Sequence, residues 1–219
     1  MSVETKRLRI AIAGVTVALL GWLAYASWTA SPSEPSAPRE APPCPERYLD
    51  LPVRAERIET LLGSTAVGTG LLAALEDRPV RYCFGEIERP SIQGSQLLLL
   101  DASADDAELA ARVGHLLDHA VHGLPFPETL PPNPDCDAML AEAMAREARG
   151  YAVEVELRER LQLEPSRYDF EPAARAASTE ARVAMIERYL LDHPEGGRNL
   201  DSLGVAYRQR CEIAARSAR

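Results

Sequence analysis

Residues 10–30, IAIAGVTVALLGWLAYASWTA, carry no charge. Twenty-one residues at a rise of 1.5 Å span roughly 30 Å, the thickness of a hydrocarbon core. Lys6, Arg7 and Arg9 precede the run, and Trp22, Tyr25 and Trp28 lie toward its outer end. A basic flank stays in the cytoplasm and aromatic rings favour the interface. The pattern therefore predicts a cytoplasmic N-terminus over residues 1–9 and a transmembrane signal anchor over residues 10–30. Ala24-Tyr25-Ala26 also fits a small-x-small cleavage site, so a cleaved signal peptide is the alternative. Residues 31–43, SPSEPSAPREAPP, form a Pro-rich, extended linker that buries no core.

Beyond the linker, residues 44–219 read as an exported α+β domain, mostly helical. Leu51, Val53, Ile58, Leu61 and Leu62, then Leu71, Leu72 and Leu75, repeat at helical spacing, with Gly63 and Gly68 interrupting. Val80–Ile87 and Ser95–Ala102 read as two strands of a short β-hairpin, joined through a loop holding Pro90 and Gly94. Asp105 and Asp106 open a helix that runs to about His122 and ends at Gly123. A Pro-rich loop leads to a long helix over about 137–163. Two C-terminal helices follow, near 171–192 and 200–216.

Charge and cysteine content narrow the function. A net charge of −9 argues against a nucleic-acid partner, because phosphate binding needs a basic face. Cys44, Cys83, Cys136 and Cys211 form no CxxC pair, which excludes a cysteine zinc knuckle or a thioredoxin-type site. In an exported domain they are disulfide candidates, with three full pairings open.

Histidine is the concentrated chemical signal. The chain has four, and three are His115, His119 and His122. At 100° per residue, His119 lies about 40° from His115 and His122 about 20° to its other side. Leu109, Val113, Leu116 and Ala120 form an apolar stripe about 140° away from them. Imidazoles at i and i+4 can chelate one divalent metal. The competing reading is a solvated polar face. On the following helix Leu140, Met144, Tyr151 and Val155 share a stripe that also contains Glu147, while Glu142 points the opposite way. A carboxylate on an apolar face must be ligated or ion-paired, so Glu147 is either a third ligand or the partner of a neighbouring arginine. Gly150 marks a close helix crossing, against the histidine helix.

The order GSQLLLLDAS, then DDAELAARVGHLLDHAVHG, resembles the core of zincin-type metallopeptidases, in which an edge strand precedes a helix bearing HExxH. AEAMAREARGYAVEVELRERL is similar to the second helix that supplies a glutamate ligand in the gluzincin branch. The resemblance covers residues 80–163. It implies zinc as cofactor, with His115, His119 and Glu147 as ligands and His122 as an alternative ligand. His122 can instead bond loop carbonyls near the helix end. Leu116 stands where that family has its catalytic glutamate, the general base, and leucine accepts no proton. Asp118 gives H-x-x-D-H, similar to the inverted H-x-x-E-H arrangement, and is the candidate for an atypical base; its other reading is a solvated or salt-bridged surface carboxylate.

The expected protein is thus a membrane-anchored pseudo-metallopeptidase, with zinc or no cofactor. Its C-terminal domain sits in the periplasm or extracytoplasmic space and binds an envelope protein or peptide. The alternatives are an active zinc peptidase using Asp118 and a non-enzymatic helical envelope scaffold.

Overall fold

The structure, a computed structural model, describes residues 40–127, 129–165 and 167–217. The expected membrane span at residues 10–30, its basic flank and most of the linker lie outside the described residues. Among the described residues no helix is long and apolar enough to cross a membrane. The compact unit begins at Glu40. Ala41, at the end of the expected linker, is buried, and its carbonyl accepts from Arg81 Nη2 at 3.3 Å.

The chain runs β1 (Leu49–Asp50), α1 (Pro52–Gly63), α2 (Ala66–Ala74), β2 (Arg81–Gly85), β3 (Ser91–Gln93) and β4 (Leu97–Asp101), then α3 (Asp106–His122), α4 (Cys136–Arg160), α5 (Glu171–Ala176), α6 (Thr179–Asp192) and α7 (Leu203–Ser217). This is an α+β fold, mostly helical, with a small mixed sheet in the order β1-β2-β4-β3.

The sheet corrects the expected hairpin. β2 and β4 pair in parallel, with Arg81 opposite Leu97 and Gly85 opposite Asp101. The hairpin is β3–β4, which turns at Gly94 with φ +56°. The loop holding Pro90 carries the chain past β4, so β3 takes the edge and β4 becomes central. Four consecutive leucines suit that position, since a central strand is covered on both faces. Leu98 and Leu100 join Tyr82 and Phe84 in the main core, while Leu99 and Cys83 pack with Tyr48 on the other face.

Each long helix has a local start signal. Asp105 Oδ1 accepts from Ala107 N at 2.8 Å, and Asp135 Oδ1 accepts from Asp137 N and Ala138 N at 3.2 and 3.1 Å. The segment expected as one helix over 171–192 is two. Ala177 is extended, at φ −90° and ψ 154°, and the Ala174 carbonyl at the end of α5 accepts from Ala177 N at 3.3 Å and from Arg182 Nε of α6 at 2.8 Å. Glu171 is the first residue of α5. Its buried carboxylate accepts from Arg158 Nε at 3.0 Å and Arg175 Nη2 at 2.7 Å.

From Leu109 to Ala120, α3 is buried at every position except Arg112. The competing reading of a solvated face therefore fails for His115 and His119, which are buried, while His122 at the helix end is exposed. α1, α2 and the sheet cover one side, and α4 covers the other. Two glycines set how closely α4 approaches. A Cβ on Gly114 would overlap Leu157, and one on Gly150 would sit 2.6 Å from His115 Cδ2. A second core, with Met144, Val155, Ile186 and Leu190, lies between α4, α6 and α7.

All four cysteines are paired, Cys44 with Cys83 and Cys136 with Cys211. Two disulfides are the mark of an oxidising compartment and agree with an extracytoplasmic domain.

Candidate metal centre

His115 and His119 are one helical turn apart on α3, and the Gly150 crossing brings Glu147 of α4 against them. His115 Nε2 lies 2.9 Å from His119 Nε2 and 3.2 Å from Glu147 Oε2, and His119 Nε2 lies 3.6 Å from the same oxygen. All three residues are buried. Four ligands about 2.0–2.1 Å from a tetrahedral zinc ion are separated from each other by about 3.3 Å. The observed triangle, with sides of 2.9, 3.2 and 3.6 Å, brackets that spacing, so these atoms could hold a divalent ion.

Further side chains fix the triangle. His115 Nδ1 lies 3.4 Å from Glu154 Oε2, a carboxylate two turns beyond Glu147 on α4. Tyr168 donates to Glu154 Oε1 at 2.7 Å. Tyr207 of α7 donates to Glu147 Oε1 at 2.5 Å, which leaves Oε2 for the histidines. The ring of Tyr151 meets that of His115 edge-on, with centroids 4.4 Å apart. A carboxylate behind a ligating imidazole sets its tautomer and raises its basicity. His119 lacks such support, since its buried Nδ1 has no hydrogen-bond partner among the described residues.

The electrostatics follow from burial and these contacts. Burial opposes a charged His115, but Glu147 and Glu154 outweigh it and hold its pKa up, at about 9. Burial, and then the charge on His115, lower the pKa of His119. Burial opposes ionisation of Glu147 as well, but its hydrogen bonds to the two histidines hold it far below the usual carboxylate range.

The centre opens on a cavity of about 610 Å³. Leu116, where a zincin-type site carries its base, lines that cavity beside His115 and His119. Asp118 and His122 are not in its wall. Asp118 is buried, not on the surface, with its carboxylate 2.9 Å from Arg149 Nε and 2.9 Å from His122 Nδ1. His122 is about half exposed, and its Nδ1 also lies 3.2 Å from the Asp118 carbonyl. The structure thus brings together His115, His119 and Glu147 and sets Asp118 and His122 apart. The phase argument that selects Glu147 reaches Glu154 too, because seven residues return to within about 20° of the same face. Nothing local marks Tyr207, which comes from a helix sixty residues on.

No protein-family model matches the chain, and no curated protein or solved structure matches it.

Proposed function

We propose that the domain is a zincin-like metal-binding module without peptidase chemistry, which acts by binding a partner in its cavity. In this reading residues 10–30 anchor it in the inner membrane and the domain faces the periplasm. One observation carries the proposal: two imidazole nitrogens and a carboxylate oxygen at ligand spacing face a cavity whose wall has Leu116 at the base position. A bound zinc ion supplies Lewis acidity. The chain itself contributes the ligands and the carboxylates that orient them, but no proton acceptor at position 116. Asp118 is engaged by Arg149 and His122 outside the cavity, so nothing in the geometry favours it as a base. A pure scaffold needs neither a cavity here nor Glu147 within 4 Å of both imidazoles.

The test is metal analysis of the purified full chain. About one zinc per chain is expected, falling at least tenfold in affinity in His115→Ala and Glu147→Gln. Wild-type protein should not hydrolyse a casein substrate, and Leu116→Glu should gain hydrolysis. Zinc uptake that persists in both ligand variants overturns the metal centre, and hydrolysis by wild type overturns the loss of chemistry.

A further inference from the structure

The cavity is rich in guanidinium. Arg89, Arg112, Arg167 and Arg210 line it, against three carboxylates, those of Glu147, Glu154 and Asp201. A divalent ion at the histidines would make the imbalance larger. Arg89 is ion-paired with Asp201, and Arg210 lies over the Phe126 ring at 5.3 Å.

Arg112 differs from the rest. It precedes His115 by three residues and interrupts the otherwise continuous burial of α3. Its Nε is buried and has no hydrogen-bond partner among the described residues. The carboxylates near it are engaged elsewhere. Glu108 binds Arg158 at 2.5 Å, Asp101 binds the Ser103 amide and hydroxyl at 2.9 and 2.8 Å, and Glu154 holds His115 and Tyr168. A second cation, Arg167, lines the same cavity. Burial, and then the charge of Arg167, hold the Arg112 guanidinium below the usual arginine range. Arg167 itself is 3.6 Å from Glu154 Oε1. Two guanidiniums lining one cavity, one with a buried unpaired N–H, are unfavourable for the free protein. They match the planar, forked recognition of an oxyanion.

We propose that the cavity takes a ligand bearing an oxyanion, carboxylate or phosphate, held by Arg112, one helical turn before His115, together with Arg167 beside Glu154. The inference rests on reading the cavity as a binding site and names the chemistry of what it binds. It is separable from the metal, because neither arginine is a metal ligand.

The experiment titrates the full chain, chelator-treated and zinc-loaded, with inorganic phosphate, trialanine and trialanine amide, while measuring zinc uptake on the same samples. Saturable binding of phosphate or of trialanine is expected in both metal states, and trialanine amide should bind at least tenfold more weakly than trialanine. The stronger of the two oxyanion probes identifies the ligand class. Arg112→Gln should weaken that probe tenfold or more and leave zinc uptake unchanged. Arg167→Gln should weaken the probe in the same direction, which keeps the test valid if one variant folds poorly. Three results would overturn the inference: no saturable binding of either oxyanion, binding undiminished in both variants, or binding that disappears when zinc is removed. Anion binding without zinc uptake would instead overturn the metal centre alone.

Discussion

At the scale of single residues, Gly150 and His115 are one design. The imidazole occupies the space where any other residue of α4 would carry its Cβ. Alanine at 150 is a better helix former by about 1 kcal/mol, yet overpacking at such a contact costs about 1–3 kcal/mol. Gly150→Ala should therefore lower the melting temperature by several degrees and weaken zinc uptake together, as calorimetry and zinc titration on one sample would show. A rise in stability with zinc affinity intact would contradict this account. His115 also makes stability depend on pH. With zinc removed, the folded chain binds its proton with a pKa of about 9, against about 6.5 for a free imidazole. A pKa raised by folding gives stability that is full below about pH 6.5 and lost as pH rises through about 9. Chelator-treated protein should thus lose thermal stability over that window, and His115→Asn should flatten the loss. Zinc requires the neutral imidazole, so loading should release a proton and hold the melting temperature across the same window. A flat profile for the chelated wild type would rule the coupling out. Glu147 was legible in the sequence because burying a carboxylate on an apolar stripe demands a partner. Asp118 is salt-bridged, as its second reading has it, but buried and not at the surface, since helical phase alone does not reveal that the partly exposed Arg149 and His122 cover its carboxylate.

At the scale of elements, the α3–α4 pair is the frame of the site and α7 completes it. Periodicity gave both long helices to within a few residues, and the Asp105 and Asp135 caps account for their starts. Two of the four strands, β2 and β4, were legible for the same reason, but the short β1 and β3 were not, and neither was strand order. Alternation reports which faces are covered, whereas the parallel β2–β4 pairing depends on the path of the loop between them. The contribution of α7 could not be read locally either, because Tyr207 reaches Glu147 only through tertiary packing. That packing is held by Cys136–Cys211, which closes a separation of 75 residues. Closing a loop of this size stabilises a fold by about 4 kcal/mol in the chain-entropy account. Replacing both cysteines by serine should lower the melting temperature by on the order of 10 °C. It should also weaken zinc binding, because Tyr207 is no longer fixed beside Glu147. Unchanged zinc affinity in the folded double variant would show that α7 holds its place without the bridge.

At the scale of the whole molecule, the two disulfides divide the chain into covalent loops, and that division has a consequence for the centre. Cys44–Cys83 closes the first loop around β1, α1 and α2. Cys136–Cys211 closes the second, which contains Glu147, Glu154, Tyr168 and Tyr207. His115 and His119 belong to neither, because they sit on the open stretch between the loops. Oxidation therefore never ties the histidines to their carboxylates; packing alone does so. A metal at the centre would be the cross-link the cysteines omit, a reversible closure joining the open stretch to the second loop. The mechanical integrity of the domain would then track the availability of the ion, while its two permanent closures stay indifferent to it.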